Sequence, residues 1–208
     1  MTRPRSSGRS PHPSLALAVA LAAAGCAAPL AVPPATVVDE ARRVASYSAN
    51  VEVSLRGKEV RARTRSLVAF RRPDALRIEV PGPTGVRLVA VARGERLWAV
   101  FPADRAVFVG AARAEDLEAL LGVALAPPEV MDLLTGVASP RLRAYRVRWG
   151  ATLPRQIDAT LPDGARLKVT VAGADAPATL GEAAFIEPPH EGYRTIDADQ
   201  ARALWSRR

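Results

Sequence analysis

Along much of the chain apolar and polar residues alternate with a period of two, the pattern of strands that cover one face. Val51, Val53 and Leu55 alternate with Asn50, Glu52 and Ser54. Gly57-Lys58 reads as a hairpin turn and residues 60–70 as the returning strand, with Arg61, Arg63 and Arg65 on one face. Arg72-Pro73-Asp74 is a turn signal. Leu76, Ile78 and Val80 then alternate with Ala75, Arg77 and Glu79, and residues 81–85 read as a loop. Val86, Leu88 and Ala90 alternate with Arg87, Val89 and Val91. Gly94-Glu95 turns into a strand over 96–101, and Ala103-Asp104 into one over 106–109. The spacing predicts an antiparallel meander of about six strands.

In four places the period changes to 3.6. Residues 37–45 form a first helix, with Thr36 as its cap. Residues 114–121 place Leu117, Leu120 and Leu121 on one stripe, and Gly122 stands where a left-handed cap belongs. Residues 128–135 do the same with Val130, Leu133 and Leu134, with Pro in the first turn and Gly136 after the end. Residues 197–205 close the chain as a helix, and Asp197-x-x-Gln200 fits a capping box. Strands return at 142–149, 155–160 and 166–171, and Pro162-Asp163-Gly164 joins the last two as a hairpin. Residues 172–184 are small and loop-like, and 184–186 read as a short strand. The predicted fold is mainly β with short helices. The helices are too short to be stable alone, so they must lie on the sheet.

The first residues bear on the compartment. Arg3, Arg5 and Arg9 precede an apolar run of 10 residues, Leu15 to Ala24, which ends in Gly25-Cys26. A basic stretch, an apolar stretch and small residues describe a secretory signal, and the apolar stretch is too short to span a bilayer. Ala23-Ala24-Gly25-Cys26 resembles the lipobox of bacterial lipoproteins. That resemblance implies cleavage before Cys26 and lipidation of its thiol and amine. Residue 27 is Ala and not Asp, which favours the outer membrane over inner-membrane retention. Residues 1–25 are therefore expected to be removed, 26–35 to act as a lipidated tether, and 36–208 to form one domain. Three of the 29 basic residues and none of the 21 acidic ones lie in 1–25, so the net charge of +8 falls to +5 on the remaining 183 residues.

Composition argues against catalysis. A single cysteine allows no internal disulfide, and with two histidines it offers no zinc set. His190 lies in a Pro/Gly loop with no partner in view, and no Gly-x-Ser-x-Gly elbow occurs. Gly82-x-x-Gly85 opens a strand and not a helix, so it is no phosphate loop. No enzyme activity, metal or cofactor is expected. Residues 56–72 hold seven positive charges against Glu59 alone. In a secreted protein the readings are a solvated strand face, or contact with anionic lipid headgroups or an acidic partner, and not nucleic acid.

What remains is binding. Sheet positions Val53, Leu55, Leu76, Ile78 and Leu88 face the same way as the helical stripes of Leu117, Leu120, Leu121, Val130, Leu133 and Leu134. Tightly seated helices would give an ordinary core. Loosely seated ones would enclose an apolar cavity whose Val, Leu, Ile and Ala walls suit flexible acyl chains.

The ordered series Leu55-Arg56-Gly57, Arg72-Pro73-Asp74-x-Leu76-Arg77, Gly82-Pro83-x-Gly85, Leu120-Leu121-Gly122 and Leu133-Leu134-x-Gly136 resembles the LolB-like outer-membrane lipoproteins. Phe185-x-x-Pro188 and Ile196-Asp197 extend the match across nearly the whole domain. The resemblance implies a curved, incomplete antiparallel β-barrel of about 9–11 strands under a helical lid. It further implies a monomer on the periplasmic face of the outer membrane that takes acyl chains of lipoproteins or lipids from a LolA-like periplasmic carrier. The family's membrane-facing loop corresponds to Pro83, Thr84 and Gly85, and Thr84 stands where that loop exposes a leucine. The alternative is a non-catalytic envelope scaffold or partner-binding lipoprotein with a closed core.

Overall fold

The computed structural model describes residues 35–57 and 61–206. Cys26, the apolar run before it, most of the expected tether and the turn at Lys58 lie outside the described residues. Six strands follow one another as a meander: β1 (Ser46–Arg56), β2 (Arg61–Arg71), β3 (Ala75–Gly82), β4 (Gly85–Arg93), β5 (Arg96–Phe101) and β6 (Ala106–Ala111). A second meander, β7 (Ala144–Trp149), β8 (Pro154–Thr160) and β9 (Arg166–Asp175), joins the first through antiparallel pairing of β9 with β1. A short β10 (Arg194–Ile196) runs parallel to β6. Among the described residues these form one ten-stranded sheet, ordered β10-β6-β5-β4-β3-β2-β1-β9-β8-β7, and open at both edges.

The helices are α1 (Ala35–Arg42), α2 (Ala114–Leu121), α3 (Pro127–Leu134) and α4 (Ala198–Ser206). Gly122 ends α2 in the left-handed region, at φ 71°, and its N–H donates to the Glu118 carbonyl at 2.8 Å. Asp197 caps α4 by accepting from the Gln200 N–H at 2.8 Å, and Gln200 answers at 3.3 Å. No helix among the described residues is long and apolar enough to cross a membrane.

The sheet wraps around its helices. α3 touches both β3 and β8, which stand four strand spacings apart in the sheet order. In a flat sheet that is about 19 Å, whereas a helix is about 10–12 Å across. Contact with both requires the sheet to curve around α3. The core fills this concave side with Tyr47, Phe70, Leu88, Leu97, Phe101, Leu120, Leu125, Met131 and Ile157, each almost wholly buried.

The opposite face is also covered, though only in part. Val91, Trp98, Val100 and Val107 alternate with the concave residues, yet they are buried too. The 3₁₀ turn Glu182–Phe185 lies against β3 and β4, and Phe185 is fully buried. Burying that ring contributes about 1.5–3 kcal/mol. Arg71 forms an ion pair with Glu182 and lies over the Phe185 ring. Arg93 reaches the same carboxylate at 3.2 Å, and Arg77 donates to the Ala184 carbonyl at 3.0 Å. The segment is thus a strap across the convex face.

The structure departs from the sequence reading at five places. Helix α1 covers Ala35–Arg42, so Thr36 lies within it and is not its cap, and residues 43–45 leave the helix. The strand expected at 184–186 is this 3₁₀ turn and strap, because Ala184 donates to Gly181 and not to a neighbouring strand. The expected loop after residue 171 begins as a continuation of β9 to Asp175. There Gly173 and Ala174 pair with Asn50 and Ala49 beyond a bulge at Ala172 of β9, and tertiary pairing overrides their weak strand preference. The loop over 81–85 is a tight hairpin, with a register shift between Val80 and Pro81. Strand β10 gave no signal, because three residues are too few to show an alternation.

Candidate functional site

Between the concave sheet and α2, α3 and α4 lies an apolar cavity of about 90 Å³. Its inner wall is buried and comprises Val51, Ser66, Val68, Val80, Leu117, Leu133, Leu134, Leu167 and Val169. Its outer part is half-buried and comprises Val53, Thr64, Ile78, Leu121, Val123, Val130 and Trp205. Register explains the grouping. Val51 pairs with Ser66, Val53 with Thr64 and Val53 with Val169, so one face of three adjacent strands supplies most of the sheet's side of the wall.

No lining residue carries an ionisable group, and Thr64 and Ser66 supply the only side-chain hydroxyls in the wall. Nearby phenols stay neutral. Burial pushes the Tyr47 hydroxyl up to about 12, and among the described residues that hydroxyl has no hydrogen-bond partner. The Tyr145 hydroxyl is raised by burial and, secondarily, by the Asp132 carboxylate. Such a wall offers a polar occupant only the Thr64 and Ser66 hydroxyls and the Trp205 N–H as directional contacts. It rewards methylenes by about 0.8 kcal/mol each.

The helices over the cavity are fastened unequally. Arg72 pairs with Asp132 of α3 at 2.8 Å, donates to the Thr135 hydroxyl at 3.2 Å, and bonds the Val44 carbonyl at 3.2 Å. At the other end of α3, Glu129 accepts from the Ala126 N–H at 2.8 Å and the Ser139 hydroxyl at 2.5 Å. Helix α2 is fixed by Asp116, which accepts from the Ala111 N–H at 2.9 Å. Helix α4 packs against α2 and is held at its C-terminal end by Arg87. That guanidinium bonds the Trp205 carbonyl at 2.7 Å and lies 5.2 Å over the indole.

Of the residues expected to line a cavity, Val53, Ile78, Leu117, Leu121, Val130, Leu133 and Leu134 do so. Leu55, Leu76, Leu88 and Leu120 point into the same core but sit in close-packed parts of it, away from the void. The missed wall residues were partly legible. Thr64, Ser66 and Val68 stand on the face of β2 opposite Arg61, Arg63 and Arg65. Trp205 was placed on a helix but not over the cavity. The turn at Pro83, Thr84 and Gly85 is exposed, and Val86 beside it is 40% exposed. His190 lies on the strap side, its Nδ1 2.8 Å from the Pro188 carbonyl, and has no part in the cavity.

The void is small. An engineered apolar cavity of about 150 Å³ accepts one benzene. A space of about 90 Å³ therefore accepts a few methylenes as it stands, and enclosing a longer chain requires the helices to shift.

No protein-family model matches the chain, and no curated protein matches it in sequence. Similar solved structures include an uncharacterized conserved protein from Thermus thermophilus, at 11% identity and TM-score 0.44, covering 78% of this chain and 95% of that one. A putative outer membrane lipoprotein-sorting protein domain from Vibrio parahaemolyticus is similar at 8% identity and TM-score 0.45, covering 72% and 94%. A LolA superfamily protein from Nitrosomonas europaea is similar at 11% identity and TM-score 0.44, covering 76% and 99%. Identities this low and TM-scores below 0.5 assign neither a family nor a ligand.

Proposed function

We propose that this protein is a lipid-anchored envelope protein that takes acyl chains into the concave cavity and serves lipoprotein or lipid transfer at the outer membrane. The observation that carries the reading is the cavity wall, which is apolar apart from the Thr64 and Ser66 hydroxyls and the Trp205 indole, free of ionisable groups, and covered by short helices at one end of a curved sheet. The lipobox around Cys26 and the LolB-like motif series support the anchor, the periplasmic face of the outer membrane, and a LolA-like carrier as the donor. Binding and hand-over of an acyl chain need no covalent step, so no catalytic residue is assigned.

Titration of the purified chain with a fluorescent fatty acid, and then with a diacylated lipopeptide, tests the reading. Saturable binding is expected. Leu121→Asp and Val130→Asp, both half-buried at the outer part of the cavity, are expected to weaken it at least tenfold with the fold retained. Absence of saturable binding to either probe sinks the reading.

A second reading has its own support in the small volume of the void. A scaffold with a closed core would hold a stable protein partner and ignore acyl chains of any length. Cys26→Ser separates the anchor from both readings. Its expected effect is loss of incorporated palmitate together with retention of residues 1–25, read by metabolic labelling and intact mass.

A further inference from the structure

The face of the sheet opposite the cavity carries charge that acyl binding does not use. Strand register arranges it in rows across β7, β8, β9, β1 and β2. Arg56 pairs with both Arg61 and Arg166. One step along the strands, Ser54 pairs with Arg63 and Lys168, and Asp158 pairs with Lys168 and Arg146. A further step brings Arg65 and Arg148 into the row that holds Glu52 and Gln156. All eight cations are exposed, and among the described residues of these rows only Glu52 and Asp158 oppose them. Arg63 occupies Glu52 at 2.7 Å. Strand spacing makes the patch roughly 19 by 14 Å.

Three features decide what such a patch fits. The charge spreads in two dimensions and not along a groove. No aromatic side chain stands in these rows, so stacked bases have no platform. Leu67, 47% exposed, lies on the same face two residues beyond Arg65, an apolar contact beside the charge. Within the rows, Arg56, Arg146, Arg166 and Lys168 outnumber the Asp158 carboxylate around a recess of about 490 Å³, which the Ser54 and Thr160 hydroxyls and the half-buried Tyr145 also line. Guanidinium groups and hydroxyls around such a space match phosphate oxygens.

Position agrees with chemistry. The β1–β2, β3–β4 and β8–β9 connections lie at one end of the sheet, and the basic rows lie at that end. The outer cavity residues Val53 and Thr64 are on the same stretch of β1 and β2, on the opposite face. The exposed Pro83, Thr84 and Val86 are at this end as well.

We infer that the basic convex face docks the protein on the anionic phospholipid headgroups of a membrane, and so brings the cavity end of the sheet to the lipid surface. The inference stands independently of acyl binding, because it concerns the other face and a different probe.

The test uses the chain from Ala27 onward, which holds all the described residues, so that neither the lipid anchor nor the basic and apolar leader contributes. Its partition is measured by co-sedimentation with phosphatidylcholine vesicles containing 0 or 30% phosphatidylglycerol, at low and physiological salt. Two charge-matched variants are compared, with folding checked by circular dichroism. One is Arg65→Gln/Arg146→Gln/Arg166→Gln on the face. The other is Arg43→Gln/Arg96→Gln/Arg113→Gln, exposed sites outside it. Each headgroup-facing cation is worth about fivefold in partition, so the face variant is expected to lose on the order of 100-fold and the control only a few-fold. Equal losses in the two variants overturn the inference, as does binding indifferent to phosphatidylglycerol. Tighter retention on duplex DNA than on vesicles at equal phosphate and salt also overturns it, in favour of a nucleic-acid face. Loss of vesicle binding with fatty-acid binding intact locates the effect in this face and leaves the cavity reading standing.

Discussion

Gly136 is where a single atom would be felt. Its φ is +86°, and a Cβ there would stand 2.5 Å from the Trp149 Cη2 atom. Alanine would have to adopt a left-handed backbone and push away a half-buried indole of β7. Gly136→Ala is expected to lower stability by about 1–3 kcal/mol, read from urea unfolding. Glu182 makes the complementary case for charge. The Arg71 side chain bonded to it holds its carboxyl below the usual carboxylate range. A carboxyl depressed in the folded state contributes stability that is complete above its unfolded value and is lost as pH falls through the folded one. The strap should therefore loosen below about pH 4, and Glu182→Gln should remove that pH dependence. Amide exchange at residues 181–186 reads this directly. Unchanged protection between pH 6 and pH 3 in the wild type, after division by the intrinsic exchange rate at each pH, would mean that Phe185, and not the ion pairs, holds the strap.

At the scale of elements, the two central helices were legible to within a residue, because their ends carry chemistry. Gly122 and Gly136 stop α2 and α3, and Pro127 and Pro128 open α3. The meanders were legible because Val51 and Ile78 belong to runs that alternate with polar residues and because turn signals bound the more apolar run around Leu88. What could not be read was set by distant partners. Gly173 and Ala174 become strand only because β1 lies beside them, and Phe185 becomes core only because β3 and β4 present a second apolar face. The same distinction divides the expected cavity residues. Periodicity places Leu120 and Leu121 together on a helix, but only packing makes Leu120 fully buried and leaves Leu121 half-exposed at the cavity. Leu120→Ala is accordingly expected to cost about 2–5 kcal/mol in stability. Leu121→Ala should cost less than half of that and weaken acyl binding instead. A reversed order in paired unfolding and titration experiments would move the cavity to the other side of α2.

For the whole molecule the question is whether the sheet and helices open. A pocket of about 90 Å³, open to solvent on its outer side, cannot enclose a full acyl chain, so full enclosure must displace a helix. Arg72 and Glu129 pin α3 at both ends, whereas Arg87 holds α4 by its last turn. Displacement should therefore fall on α4, which carries Trp205 over the cavity. The chain has three tryptophans, and Trp98→Phe/Trp149→Phe leaves Trp205 as the sole reporter. If α4 yields, saturated chains of increasing length should shift Trp205 emission and bind about fourfold more tightly per added methylene, well past the few carbons the closed void accepts. If the core is closed, affinity levels off within the first carbons and the emission stays put. Chain length thus distinguishes a carrier from a scaffold without knowledge of the natural lipid, because only a molecule that opens can keep gaining from each further carbon.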